Sequence, residues 1–308
     1  MNVIDQQQGK NHTIYNADCV EVVAELPDAS IDFSVFSPPF ASLYTYSDSD
    51  RDMGNCKDYT EFFGQFEFLV RELYRVIRPG RIVAFHCMNL PAMKERDGYI
   101  GLKDFRGDLI RCFQKEGFIF HSEHCIWKDP LVEATRTKAI GLMHKQLCKD
   151  SAMSRAGIPD YLIAMRKPGE NDKPIAHVAG LTDFYGENPP QKGVLSHERW
   201  RRYASPVWMD IDQSRTLQYT SARENEDEKH ICPLQLDVID RALALWSADG
   251  DVVLSPFMGI GSEGYEAVRM GRKFVGVELK TSYYRVAARN LTDAEATAEE
   301  SDLFADGE

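Results

Sequence analysis

A chain of 308 residues, 43% hydrophobic and 27% charged, has material for one large α/β domain with an insertion or for two domains, and is not broadly disordered. No apolar run approaches membrane-spanning length, and the polar stretch from Met1 to His12 lacks a signal-peptide core, so a soluble, cytoplasmic protein without a membrane partner is expected. The net charge of −12 argues at first sight against a nucleic-acid partner, since phosphate contacts need cations.

Strand-like segments, rich in β-branched and aromatic residues and bounded by turn formers, begin with His12–Asn16 and Asp32–Ser37. The clearest helix follows, from Tyr59 to Ile77, with Phe62, Phe66, Leu69, Leu73 and Val76 on one face. Asp58 with Glu61 forms a capping box at its start, and Arg78-Pro79-Gly80 stops it. Arg81–Cys87, Phe118–Trp127 and Asp160–Arg166 are the next strands. Between Pro168 and Lys229 periodicity is lost; this stretch is too long for an ordinary connection and reads as an insertion with its own function. A helix over Pro233–Trp246 leads into the last strands, Asp251–Ser255 and Lys273–Leu279. Strands alternating with helices predict a mostly parallel sheet covered on both faces.

The charge is unevenly spread. Residues 291–308 hold seven acids and no Lys or Arg, which reads as an acidic, disordered tail, whereas residues 128–167 hold eight Lys/Arg against four Asp/Glu. Residues 192–223 hold six against three, so the middle of the chain is the candidate phosphate-facing surface. The seven cysteines form no Cys-x-x-Cys pair and lie largely in apolar runs, which predicts buried reduced thiols and no metal site.

Two motifs carry chemistry. Ser255-Pro256-Phe257-Met258-Gly259-Ile260-Gly261 ends a strand in a glycine turn, where the chain reverses and a ligand can lie against the main chain. Glu278 ends the following strand, placed to accept hydrogen bonds from the ribose hydroxyls of an adenosine. The same elements would suit an oxidoreductase binding NAD, since Gly259, Gly261 and Gly264 match the dinucleotide fingerprint. Only 44 residues follow Gly264, however, too few to finish a dinucleotide-binding sheet in the usual order; the missing strands lie at the N-terminus.

The second motif is Ser37-Pro38-Pro39-Phe40, a rigid, extended strand exit. An aromatic amine is a poor nucleophile because its lone pair is delocalised into the ring. The Ser37 hydroxyl and the Pro38 carbonyl can each accept one amino N–H, favouring a tetrahedral nitrogen, while Phe40 can stack on a flipped base. Such catalysis is positioning and electrostatics, with no covalent intermediate and no role for Ser37 as nucleophile or general base.

In this order the two motifs resemble the β group of DNA amino-methyltransferases, which methylate N4 of cytosine or N6 of adenine. The resemblance covers most of residues 12–167 and 229–290. It implies an α/β fold with a Rossmann-like seven-stranded methyltransferase sheet in circularly permuted motif order, and S-adenosylmethionine as cofactor. Residues 12–167 would form the catalytic half and 230–290 the cofactor-binding half. The insertion at 168–229 falls where the family places its target-recognition region. There Trp200, Arg201, Arg202 and Tyr203, with Trp208, could contact DNA.

By the same resemblance Asp18 contacts the cofactor's adenine, and the segment from Lys229 to Gln235, with His230 and Pro233, lines its methionine end. Ser255, Phe257, Gly259, Gly261 and Glu278 complete the cofactor site, and Ser37, Pro38, Pro39 and Phe40 hold the base. The chain departs from the family pattern at Ser255, where Asp is common, and at Ile260, where a small residue is usual.

Cytosine-directed members usually carry Ser at the first grip position and adenine-directed ones Asp or Asn, so Ser37 favours cytosine N4 in double-stranded DNA over adenine N6. Methylation at cytosine C5 needs a nucleophilic cysteine, typically in Pro-Cys; here Cys232-Pro233 has the reverse order. RNA or protein-amide methylation and a catalytically dead DNA binder are the further alternatives. A mobile loop over residues 41–56 is expected to order over DNA. Whether the protein is a homodimer, and whether a restriction enzyme accompanies it, is open.

Overall fold

The structure, a computed structural model, describes residues 3–40, 53–56, 58–92, 94–137, 144–177, 180–181, 194–218 and 233–305. Its strands are β1 (Val3–Gln8), β2 (His12–Ala17), β3 (Ile31–Phe36), β4 (Ile77–Met88), β5 (Leu90–Ala92), β6 (Gly101–Lys103), β7 (Ile119–Ile126), β8 (Asp160–Arg166), β9 (Val207–Trp208), β10 (Val252–Ser255) and β11 (Lys273–Glu278). The helices are α1 (Cys19–Glu25), α2 (Tyr59–Val76), α3 (Lys94–Asp97), α4 (Phe105–Lys115), α5 (Pro130–Thr137), α6 (His144–Lys149), α7 (Val194–Tyr203), α8 (Leu236–Trp246), α9 (Ser262–Arg269) and α10 (Thr281–Ala305).

One sheet takes nine strands in the order β1-β2-β11-β10-β3-β4-β8-β7-β9, and β5 and β6 pair separately. Strands β2, β11, β10, β3 and β4 run parallel; β8 is antiparallel to β4, and β7 to β8. All seven strands read from the sequence are present, and the sheet gains one strand at each edge. At one edge β1, VIDQQQ, shows no apolar alternation and is held by its antiparallel ladder to β2. At the other, the two residues of β9 pair with β7.

Apolar side chains fill both faces. Phe62, Phe66, Leu69, Leu73 and Val76 of α2 pack with Val22 of α1, Leu109 and Phe113 of α4, and Phe36 and Phe85 of the sheet. The other face carries Val238, Ile239 and Leu243 of α8, Val268 of α9 and Tyr284 and Leu291 of α10 against Phe33, Val253 and Phe274. Asp58 caps α2, accepting from the main-chain N–H groups of Thr60 and Glu61 at 2.8 and 2.9 Å.

One expectation is overturned. The acidic stretch from residue 291 to 305 is the second half of α10, not a disordered end. Leu291 and Ala294 are fully buried, and Glu295 accepts from Asn11 N at 2.6 Å and meets His12 Nδ1 at 2.9 Å. Acids on one face of a helix do not stop the opposite face from docking. Burial would raise the Glu295 carboxyl, but the Asn11 N–H and His12 outweigh it and hold it below the usual range. Of the described cysteines, Cys19, Cys56, Cys87 and Cys112 are buried free thiols, while Cys125 is half-buried and Cys148 exposed; Cys232 lies outside the described residues. Among the described residues no helix is long and apolar enough to cross a membrane.

Candidate active site

Parallel strands place their C-terminal ends along one sheet edge, and here the chain leaves in opposite directions on either side of one gap. From β10 it continues to β11; on the other side β3 continues to β4. Open α/β sheets bind ligands at such a switch point. A cleft of about 530 Å³ opens there, lined by residues following β2, β3, β10 and β11 and by the facing ends of β4 and β8.

On the β10–β11 side the wall is largely main chain. Gly259 and Gly261 have φ of +54° and +87°, a left-handed region costly for other residues. A Cβ on Gly259 would meet nothing within 4 Å, so the cleft has room against its backbone. On Gly261 it would stand 3.1 Å from the Ala287 side chain, so that residue shapes the turn by packing on α10. Glu278 Oε2 accepts from Gly259 N at 3.0 Å and its Oε1 from Lys280 N at 2.7 Å. The carboxylate thus ties the turn to the end of β11 and, with two lone pairs on each oxygen, keeps capacity for ligand hydroxyls. Asp18 caps α1 through Val20 N at 2.8 Å and also lines the cleft.

Opposite stand Ser37, Pro38, Pro39 and Phe40. Phe40 packs edge-on against Phe105, ring centroids 6.3 Å apart. The Ser37 hydroxyl lies 3.2 Å from His86 Nδ1 and 3.4 Å from the His86 carbonyl. Beyond the ring, His86 Nε2 is 3.2 Å from Asp160 Oδ2, and Lys128 Nζ is 2.5 Å from Asp160 Oδ1. Register explains the convergence: Met88 of β4 pairs with Asp160 of antiparallel β8, which brings the start of β8 beside the end of β4. Asp160 is only 3% exposed. Burial alone would raise its carboxyl, but His86 and Lys128 outweigh that and hold it below the usual carboxylate range. Hydroxyl, imidazole, carboxylate and ammonium form a continuous polar chain along the cleft wall.

The structure therefore brings together Asp18, Ser37, Pro38, Pro39, Phe40, Pro233, Phe257, Gly259 and Glu278 around one cleft. Ser255 is fully buried behind the turn and is not on the wall. His230 and most of the 41–56 loop lie outside the described residues. Away from the cleft, Trp200 on α7 is 57% exposed, and Arg201 and Arg202 are exposed beside it. Tyr203 and Trp208 are not available to DNA. The Tyr203 hydroxyl donates to Asp240 at 2.8 Å, and Trp208 stacks on His124 with ring centroids 4.3 Å apart. Both side chains are buried and dock the segment on the sheet edge, an instance where core packing claims the residue.

Sequence reading missed His86, Asp160, Lys128 and Glu263, all on the cleft wall. A signal existed for three of them. His86 interrupts an otherwise apolar strand and Asp160 opens another, while Glu263 sits in the glycine-turn helix, where a polar residue can face a ligand. Glu263 is 4% exposed, and burial, aided by the Glu278 charge, pushes its carboxyl up to about 8.

A permuted Rossmann-like sheet with a glycine turn and acid on one side of a switch-point cleft, and a Ser-Pro-Pro-Phe exit on the other, defines an amino-methyltransferase of nucleic-acid bases. The model of the N6/N4 DNA methylase family matches residues 31–289, and the chain belongs to that family. It is 24% identical over 284 residues to the type II methyltransferase M.BglII of Bacillus subtilis, covering 91% of this chain and 68% of that protein. The fold is that of the Thermus thermophilus protein TTHA0409, at 23% identity and a TM-score of 0.63, covering 92% of this chain and 94% of the other. It is likewise that of the cytosine-N4-specific PvuII DNA methyltransferase, at 17% identity and a TM-score of 0.60, with 96% of each chain covered.

The protein is a DNA amino-methyltransferase of the N4/N6 family, and its methyl donor is S-adenosylmethionine. The residues present fit that donor: the open main chain at Gly259 and the Glu278 carboxylate stand where an adenosine can lie, beside the Phe257 ring.

Proposed function

We propose that the protein methylates the exocyclic N4 of a cytosine flipped from double-stranded DNA at a specific sequence. The observation that carries this reading is Ser37: the grip at the end of β3 is a neutral hydroxyl backed by an imidazole, not a carboxylate or amide. Asp18, Pro233, Phe257, Gly259 and Glu278 would hold the cofactor, which supplies an electrophilic methyl group on a sulfonium.

Ser37 Oγ and the Pro38 carbonyl each accept one N–H of the target amine. With the His86 ring proton on Nε2, towards Asp160, the Nδ1 lone pair accepts the Ser37 hydroxyl proton. Ser37 Oγ then has its lone pairs directed at the amine. Accepting the methyl group in exchange for the sulfonium bond would leave the amine nitrogen cationic, and it would then have to lose a proton. That proton passes to Ser37 as the hydroxyl proton passes to His86, and Asp160 stabilises the imidazolium. General base assistance of this kind contributes about 10²- to 10⁴-fold.

The segment 168–229 would supply target recognition, with Trp200, Arg201 and Arg202 meeting DNA. The test is nucleoside mass spectrometry on unmodified DNA incubated with the protein and S-adenosylmethionine, alongside Ser37→Ala. N4-methyldeoxycytidine from the wild type, strongly reduced in Ser37→Ala, is the expected outcome. N6-methyldeoxyadenosine would keep the mechanism and overturn the base assignment.

A further inference from the structure

Among the described residues, six carboxyls line the cleft: Asp18, Asp129, Glu133, Asp160, Glu263 and Glu278. Five are committed to protein partners. Asp18 and Asp129 cap α1 and α5, accepting from Val20 N and Leu131 N. Glu133 accepts from Ile158 N and faces Arg155, Asp160 meets His86 and Lys128, and Glu278 holds Gly259 N and Lys280 N. Glu263 differs. Nine-tenths buried on the cleft wall, it has no basic side chain paired with it among the described residues, and its carboxyl accepts from its own main-chain N–H. Its neighbour Ser262 also lines the cleft, and its buried hydroxyl has no hydrogen-bond partner among the described residues. A buried acid without a counter-charge is costly unless neutral or met by a cation from a ligand.

We propose that Glu263 binds the α-ammonium of S-adenosylmethionine, supplying the anion that Ser255 at the head of the same turn does not. The assignment rests on the methyltransferase reading and adds a residue to its cofactor site. In the free protein the acid stays neutral, its carboxyl raised to about 8 by burial and by Glu278. Other charged groups on the elements around α9 have protein partners or face solvent. On α8, Asp237 pairs with Arg215, Asp240 with Tyr203 and Arg241 with Asp210; Lys280, on the same cleft wall, lies over the Tyr283 ring. Lys273, Arg285 and Arg289 are exposed. A bound ammonium favours the carboxylate, so Glu263 must shed its proton as the ligand arrives. Binding therefore releases a proton below pH 8, and affinity rises with pH over that range.

Calorimetry without DNA reads this directly. S-adenosylmethionine and S-adenosylhomocysteine, which keeps the ammonium but lacks the sulfonium charge, are titrated into the full chain in buffers of different ionisation enthalpy. Both ligands should release close to one proton at pH 7, and wild-type affinity should climb by up to about tenfold from pH 6 to 7. Glu263→Gln should release none, bind both ligands about tenfold more weakly at pH 7 and lose the pH dependence. Gln matches the neutral form of the free protein, so thermal stability should stay at the wild-type value and separate lost binding from lost folding. Proton release with S-adenosylmethionine alone would overturn the ammonium assignment in favour of the sulfonium. Tight wild-type binding without proton release, unchanged in Glu263→Gln, would overturn the role of Glu263 alone. No binding of either ligand by the wild type would overturn this proposal together with the methyltransferase reading.

Discussion

On the β10–β11 side of the cleft the polar groups are mostly main chain, set by a turn of consecutive residues and one carboxylate 19 residues on from Gly259. On the β4–β8 side they are side chains from four separate places: Ser37 after β3, His86 on β4, Lys128 after β7 and Asp160 at the start of β8. The first wall needs only local geometry to exist and serves a ligand of fixed shape. The second is a chain of polar contacts whose members meet only because the sheet registers them. On the proposed assignment, the turn at the heart of the cofactor site is written in a short segment, whereas the proton path for the reacting amine depends on assembling the whole sheet. Damage to the first wall should appear in cofactor affinity, and damage to the second in the rate of methyl transfer.

The largest effect is expected where the two walls are fastened together. Arg81 of β4, 1% exposed, donates to the Asp32 carbonyl at 2.7 Å and pairs with Asp251, just before β10. Arg81→Met leaves the buried Asp251 with Lys173 in place of two cationic partners and should cost about 3–5 kcal/mol in urea unfolding. Burial would raise Asp251, but Lys173, the Ala248 N–H and Arg81 outweigh it and hold the carboxyl below its usual range. A carboxyl depressed in the folded state adds stability above its unfolded value, near 4, and loses it as pH falls through the folded value. The acid limb of the wild-type stability curve should therefore be steeper than that of Arg81→Met. A variant as stable as the wild type would mean that the walls do not depend on this fastening.

Next in size is Asp160→Asn, which removes the charge behind His86. Single-turnover methyl transfer should fall about 10²-fold while S-adenosylmethionine affinity stays unchanged. A matching loss of affinity would show that the two walls are not separable.

Glu278→Gln tests the opposite wall. It should weaken S-adenosylmethionine binding by about 10-fold or more, since hydrogen bonds to a charged group contribute about 1.5–3 kcal/mol. At saturating cofactor the methyl-transfer rate should return close to the wild-type rate; a rate defect that saturation does not rescue would blur the division. The smallest effect belongs to neither wall. Arg201→Ala with Arg202→Ala should lower DNA affinity severalfold and reduce the salt slope of binding by about 2, with cofactor affinity untouched.

The sequence by itself determined the seven central strands, the α2 helix with its Asp58 cap, the glycine turn with Glu278, and the Ser37-Pro38-Pro39-Phe40 exit. Each is specified by residues close together in the chain, through periodicity, capping or a turn needing positive φ, so it can be read without the fold. What tertiary structure decided were the choices between equivalent chemistries for one residue type. Tyr203 and Trp208 look like DNA contacts in a basic, aromatic stretch, yet one is spent on Asp240 and the other on His124. The acids after residue 290 look like a solvated end, yet Leu291 and Ala294 dock that helix and Glu295 binds the start of β2. His86 and Asp160 look like stray polar residues in strands 74 positions apart. They become one chain to Ser37 because β8 runs antiparallel to β4 and pairs Asp160 with Met88. Register between distant strands is set by the packing of the whole sheet, and no local segment carries it.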